Sequence, residues 1–259
     1  MRTIRYLLLV GSGLCSGSAA AHFNILFPQA ASAKKGETLT ILYQWGHPFE
    51  HQLFDAPQPQ SLIVRTPDGK RLDLTDKLEK ITRKVGAKET TVYQLHFTPE
   101  LRGDYVFLLH TPPIWMEEEG EFFEDTVKTI LHVQVQKGWD TTVDEFEFTP
   151  LTRPYGLLPA MTYQARIALR RGDSLDDLSL VEIERYNAMP PKKLPADEQI
   201  TRTVKLDPNG VATTTLTEPG WWSLTVSRSH GTRMREGKSQ PVRQRTTLWV
   251  FVDEPASGE

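Results

Sequence analysis

The chain has 259 residues, a single cysteine and a formal net charge of −3. This mild acidity offers no global basic field for nucleic acid. One cysteine excludes a disulfide framework, and nothing after residue 22 reaches the roughly 18 apolar residues of a membrane helix, so the chain is not read as an integral membrane protein.

Arg2 and Arg5 open the chain, followed by a short apolar run from Tyr6 to Leu14 and a small, polar stretch from Ser16 to Ala21. This is the form of a cleaved signal peptide, and Ala19-Ala20-Ala21 has the small-x-small pattern that precedes the cut. Cleavage after Ala21 makes His22 the first residue of the mature protein. It removes Arg2, Arg5 and Cys15, leaving a formal charge of −5 (−3 less two) and 238 residues (259 − 21). Thiolate metal sites and cysteine nucleophiles go with it. A cysteine-free exported chain fits a bacterial periplasm, and its length suffices for two ordinary cores.

From His22 onward the pattern is strand-like. Phe23, Ile25 and Phe27 alternate with Asn24 and Leu26, and Leu39, Ile41, Tyr43 and Trp45 alternate with Thr40, Leu42 and Gln44. Period-two runs rich in aromatic and β-branched residues predict half-buried strands. Further strands are predicted at Ser61–Thr66, Thr91–Phe97, Asp104–His110 and Thr126–Val135, with Pro67-Asp68-Gly69, Gly103 and Pro112-Pro113 as turn punctuation. Asp73 to Lys84 is the one helical candidate in this half. Lys137 to Tyr155 reads as a linker and the entry to a second module. That module has strands at Thr162–Leu169, Ser179–Asn187, Thr201–Leu206, Val211–Leu216, Trp221–Arg228 and Arg245–Asp253, and a hairpin turn at Asp207-Pro208-Asn209-Gly210. The expected fold is all-β: two tandem immunoglobulin-like β-sandwiches, 22–137 and 138–254, after a signal peptide over 1–21.

The chemistry concentrates in histidines. As a free N-terminus, His22 offers an amine and an imidazole Nδ1 that close one chelate ring on a metal ion. The segment His47-Pro48-Phe49-Glu50-His51 carries two more imidazoles. With Pro48 opening a short helical turn, His47, His51 and Asp55 would share one face. Because the first two strands bring Asn24 and Gln44 into neighbouring positions, His22 and His47 are expected to meet. The expected primary ligands are His22, His47 and His51, with Glu50, Asp55 and His132 in reserve. His96, His110 and His132 fall on predicted strands and read more simply as hydrogen-bonded histidines, with His110 and His132 able to meet at one end of the sandwich.

Glu117 to Asp125 forms an acidic loop with Trp115, Phe122 and Phe123 around it. Arg228 to Arg245 reads as a long basic hairpin loop, either solvated or suited to docking an acidic partner or anionic lipid head groups. There is no phosphate-binding glycine loop, no Gly-x-Ser-x-Gly and no His-Glu-x-x-His, so the chain is not read as an enzyme.

Ala21-His22-Phe23, Trp45-Gly46-His47-Pro48-Phe49-Glu50, Pro150-Leu151-Thr152-Arg153-Pro154-Tyr155-Gly156-Leu157, Gly220-Trp221-Trp222 and Leu248-Trp249-Val250 together resemble one family. It is the family of exported nickel/cobalt-uptake components filed under a domain of unknown function, and the resemblance covers essentially the whole mature chain. It implies a periplasmic protein that binds nickel or cobalt and hands it to the membrane permease of an energy-coupling-factor type transporter. In that family's pattern a glycine separates the glutamate from the second histidine; here His51 directly follows Glu50. The residues themselves leave two other readings open. One is a copper protein using His22 in a histidine brace, as carrier or oxidative enzyme. The other is a structural or adhesive sandwich in which the histidines are incidental.

Overall fold

The computed structural model describes residues 22–85 and 88–256. The signal peptide expected over residues 1–21 lies outside them. The first half runs β1 (Phe23–Pro28), β2 (Ser32–Ala33), β3 (Leu39–His47), β4 (Gln52–Phe54), β5 (Ser61–Arg65), β6 (Arg71–Asp73), β7 (Glu79–Val85), β8 (Lys88–Phe97), β9 (Gly103–His110), β10 (Ile114–Met116) and β11 (Glu121–Val133). The second half runs β12 (Phe148–Pro150), β13 (Met161–Ile167), β14 (Val181–Arg185), β15 (Arg202–Val204), β16 (Val211–Leu216), β17 (Gly220–Arg235) and β18 (Lys238–Val252). A single turn of helix, α1 (Asp197–Ile200), precedes β15. None of the helices among the described residues is long and apolar enough to cross a membrane.

The strands form three sheets. A five-stranded sheet has the order β1-β3-β8-β7, with β4 on β3. A ten-stranded sheet runs β15-β14-β17-β18-β11-β9-β5-β6, with β2 and β10 on β11, and a three-stranded sheet runs β12-β13-β16. The alternation of side chains shows how they stack. Tyr105, Phe107 and Leu109 of β9 join a core with β1, β3 and β8, while Val106 joins a second core with β13 and β16. Trp221 and Trp249 point into the first core, and Trp222, Leu248 and Val250 into the second. The ten-stranded sheet is therefore the middle layer, covered on opposite faces by the two smaller sheets. Burial on both faces explains why β9 and the centre of β11 are buried at almost every residue, where a one-sided sheet would alternate.

The predicted all-β class is what the structure shows. The boundary near Lys137–Thr149 does not, however, separate the sheets. β11 of the first half pairs in parallel with β18 of the second, from Phe122↔Val242 to Thr129↔Trp249, so the halves share one sheet.

Two local readings are corrected. The stretch Asp73–Lys84 holds a 3-10 turn at Thr75–Lys77 and then β7, not a helix. Asp73 accepts from Thr75 N–H at 2.9 Å, which closes the turn, and the β-branched Ile81, Thr82 and Val85 find a full ladder on β8. The Asp207–Gly210 turn forms, with Gly210 at φ +73°. It does not close a hairpin, because β15 pairs with β14 and β16 with β13. Asn-Gly fixes a chain reversal, but the face each strand buries selects its partner.

Lys128 and Glu147 tie the linker to the middle sheet. Both side chains are fully buried. The ammonium donates to Glu147 Oε1 at 3.1 Å and to the carbonyls of Thr141 and Phe148 at 2.8 and 3.1 Å. Burial alone pushes the ammonium pKa down and the carboxyl pKa up, and their attraction opposes both. Removing one partner leaves an uncompensated charge, so Lys128→Ala is expected to cost about 3–5 kcal/mol. Lys128→Met with Glu147→Leu is expected to recover much of that loss. Urea denaturation of Lys128→Met, Glu147→Leu and the double variant checks this, and simple additivity of the two single losses would contradict it.

Candidate metal centre

The register of β1 on β3 builds the site. Phe23 lies opposite Gly46 and Asn24 opposite Trp45, so the next position outward on each strand is His22 and His47. Their ring centroids are 4.6 Å apart. The His22 ring also lies 5.3 Å from Trp45, stacked, and 5.2 Å from Phe54. Phe54 is there because β4 folds back on β3 with Trp45 opposite Phe54 and His47 opposite Gln52. Gly46 permits that approach: a Cβ there would stand 2.1 Å from the Gln52 carbonyl oxygen. An alanine at this position would push β4, and Phe54 with it, off His22.

His22 Nδ1 is buried with no hydrogen-bond partner. Burial, then the neighbouring His47, then Arg245 lower the His22 imidazole pKa from 6.5 to about 4. The ring is thus held in the neutral form that coordinates metal. A buried, unpartnered imidazole nitrogen beside a second imidazole fits a transition-metal ion. Beneath them, Tyr43 donates to Asn24 Oδ1 at 2.6 Å and Trp249 donates to the Asn24 carbonyl at 3.0 Å, fixing β1 next to His22.

The other expected ligands do not gather here. The chain turns at 48–51 into β4 instead of continuing as a helical turn, which breaks the common face proposed for His47, His51 and Asp55. His51 adopts φ +52° at that turn and its ring meets Tyr186 edge-on at 5.7 Å. Burial lowers its pKa, and a hydrogen bond to the Asn187 backbone opposes that shift. Asp55 is exposed and accepts from Thr91 N–H at 2.7 Å. His132 bonds Asp104 through Nδ1 at 2.8 Å and stacks on Tyr155 at 4.1 Å. His110 bonds Asp144 and Ser61 instead of meeting His132, and His96 lies 3.3 Å from Thr40 Oγ1. Among the described residues, no three histidine, cysteine or acidic side chains are grouped to hold a metal ion. The pair His22–His47 is what the fold brings together.

Residues 19–230 match a family described as a domain of unknown function, DUF4198. The chain belongs to the DUF4198 family. No curated protein matches it. Among solved structures it is similar to a mutant of Salmonella alpha-2-macroglobulin at 15% identity and TM-score 0.27, covering 90% of this chain and 15% of that one. It is also similar to a DUF4785 family protein from Legionella pneumophila at 8% identity and TM-score 0.30, covering 81% and 53%. An adhesin of Yersinia pseudotuberculosis follows at 11% identity and TM-score 0.22, covering 88% and 58%. The DUF4198 chain therefore spans only a part of each of these proteins.

The acidic and basic segments of this DUF4198 protein turn out to be partners. Arg228–Arg245 is not a long loop: β17 and β18 pair out to a tight turn after Arg235. Arg243 donates to Glu121 at 2.6 Å, Arg235 lies 3.5 Å from Glu117 and sits over Trp115 at 4.3 Å, and Arg233 reaches Glu124 at 4.0 Å. Arg245 grips Asp125 with two bonds, 2.6 and 3.0 Å, both side chains buried. This inner pair stands near His22, and its signal in the sequence was the strand period: Arg243 and Arg245 are two apart, as on one face of a strand.

The loop carrying His47 is held by the second half. Phe49 N–H donates to Glu184 at 3.1 Å, Thr201 donates to the same carboxyl at 2.6 Å, and Asn187 donates to the Pro48 and Phe49 carbonyls at 3.0 and 2.6 Å. Burial pushes the Glu184 carboxyl up to about 8, with the bonds from Thr201 and Phe49 opposing and Glu50 and Glu182 adding. A carboxyl whose folded pKa exceeds its unfolded value holds its proton longer when folded. The stability from this source is present below about pH 4.5 and is lost as pH rises through about 8. Glu184→Gln keeps the shape and an acceptor but not the titration. Its unfolding free energy from urea denaturation is expected to fall less than the native one between pH 5 and 8.5, by at least about 1.4 kcal/mol, the equivalent of one pKa unit. Equal losses in both proteins would contradict the role given to Glu184.

Proposed function

We propose that the mature protein is a periplasmic carrier of nickel or cobalt that binds the ion at His22 and His47 and passes it to the membrane permease of a nickel/cobalt transporter. Export with cleavage after Ala21 is part of the proposal, because the freed amine completes the donor set. The observation that carries the reading is the buried, unpartnered Nδ1 of His22 beside His47, rings 4.6 Å apart, at the start of the mature chain. The amine and Nδ1 of His22 close one chelate ring and His47 adds a second imidazole. Nitrogen donors of this kind suit the late first-row ions. His51 acts on the turn that carries His47 and not as a primary ligand. The halves 22–137 and 138–254 are read as two immunoglobulin-like units fused through the middle sheet, a scaffold that presents the site and not a catalyst.

A copper reading draws on the same observation. One amine and two imidazoles make a three-nitrogen set that also suits copper(II), which stands highest in the affinity order for such donors. Competition between copper(II) and nickel(II) for the mature protein ranks the two, and copper-dependent peroxide consumption would favour an oxidative enzyme. Absence of binding by either would leave a structural or adhesive scaffold.

Isothermal titration with nickel tests the site directly. His22→Ala and His47→Ala are each expected to weaken binding about a hundredfold or more, roughly 2.8 kcal/mol. His51→Ala is expected to weaken it by less than about tenfold, roughly 1.4 kcal/mol. A protein with one extra residue before His22 is expected to bind as poorly as His22→Ala. If the extended protein binds nickel as tightly as the mature one, the terminal chelate is wrong; if His47→Ala also leaves affinity unchanged, the site is wrong.

A further inference from the structure

A cavity of about 420 Å³ lies on the five-stranded sheet, and neither His22 nor His47 lines it. Its walls include Phe27, Leu42, Ile81, Arg83, Gln94 and Tyr186. We propose that this cavity binds a small carboxylic acid with an apolar body. Arg83 holds the carboxylate, and the body lies on Leu42, Ile81 and the Tyr186 ring. The site is separate from the metal centre and does not depend on it.

Strand register builds the floor. Phe27 lies opposite Leu42, Leu42 opposite Gln94, and Gln94 opposite Glu79. Residues directly opposed across antiparallel strands share a face, so these four form one row across β1, β3, β8 and β7. Ile81 and Arg83 follow Glu79 on the same face at the strand period of two. Ile41 and Tyr43, on the other face of β3, join the first core. Leu42 and Ile81 are thus left partly exposed, side by side with a cation at one end of the row.

The second half supplies a fixed aromatic wall. Tyr186 donates its backbone N–H to the Trp221 carbonyl at 2.8 Å and its hydroxyl to Gln44 Oε1 at 3.5 Å. Its ring meets Phe27 edge-on at 4.9 Å, and Phe27 stacks on Trp221 at 4.8 Å. The ring is held from both sides, so the cavity is preformed. Small-molecule sites are usually preformed, mostly apolar and aromatic, with a few polar groups that orient the ligand, at roughly 300–1,000 Å³. At about 30 Å³ for a water in the liquid, this space equals on the order of fourteen waters, enough for a short acyl or aromatic body.

Charge selects the ligand's head. Arg83 is exposed, and among the described residues its guanidinium has no ion pair. Its charge reaches the aromatic wall: burial raises the Tyr186 pKa, and Arg83 opposes that shift. The acid on this face, Glu79, is tied to Gln94 Nε2 at 3.1 Å. It stands four residues from Arg83 along β7, about 13 Å at the roughly 3.3 Å rise of a strand. The planar fork of a guanidinium matches a carboxylate with two parallel hydrogen bonds. An ammonium head would meet like charge at the same place.

Isothermal titration of the metal-free mature protein with octanoate, octylamine and acetate tests this. Octanoate is expected to bind at a single site with a Kd below about 1 mM. Octylamine is expected to bind at least about tenfold more weakly, and acetate, a head without a body, not measurably. Arg83→Gln is expected to weaken octanoate by about tenfold and to remove its advantage over octylamine. Leu42→Gln is expected to weaken octanoate and octylamine alike, with a urea midpoint equal to the native one. If Leu42→Gln unfolds early, Arg83→Gln decides alone, since an exposed arginine is not needed for folding. Failure of octanoate to bind overturns the inference, and so does octylamine binding equally well. An octanoate affinity unchanged in Arg83→Gln overturns it too.

Discussion

The parallel pairing of β11 with β18 holds the two halves of this protein together as one structure. It sets Asp125 beside Arg245 in register, and the two make a bidentate, buried ion pair. Charge-assisted forks of this kind are among the stronger polar contacts in proteins, and leaving either member unpaired in the interior is costly. The same pairing continues the middle sheet from β5 and β6 to β14 and β15, so both of its faces need cover. The five-stranded sheet covers one and the three-stranded sheet the other, which is why Trp221 and Trp222, adjacent in sequence, belong to different cores.

The candidate site depends on that arrangement from two directions. The register of β1 on β3 brings His22 to His47, and a shift of one residue would send His22 to the opposite face. The second half then holds the loop after His47 through Glu184 and Asn187. A site that begins at the first residue of the expected mature chain is thus anchored by residues more than a hundred positions away. An N-terminal histidine would otherwise fray; here β1 is buried from Phe23 to Pro28, and Asn24 is pinned by Tyr43 and Trp249.

Much of this was legible in the sequence because strand period is a local signal. The alternation in Leu39–Trp45 and in the first residues after His22 placed β1 and β3, and the approach of Asn24 to Gln44 followed from it within one residue of the observed register. That one residue matters: with Asn24 opposite Gln44, His22 would face Gly46, and only the observed register turns it to His47. His51 and Asp55 were misplaced because four-residue spacing means one face only on a helix, and Gly46 and the left-handed His51 turn the chain into β4 instead. The middle sheet was not readable as shared, since a parallel pairing between β11 and β18 spans more than a hundred residues and leaves no local trace. The same gap hid the partnership of the acidic and basic segments: each looked solvated alone, and only β11 beside β18 brings Glu121 to Arg243. Glu184 and Glu182 escaped notice as ordinary strand glutamates, because burial that raises a carboxyl pKa is a property of the packed fold.

The central claim is that two imidazoles, those of His22 and His47, face one ion. Pulsed electron paramagnetic resonance of the mature protein loaded with one equivalent of copper(II) as a spectroscopic probe counts coordinated imidazoles directly. Two are expected in the native protein, and one in His47→Ala. One imidazole in the native protein, or two that persist in His47→Ala, would contradict the account.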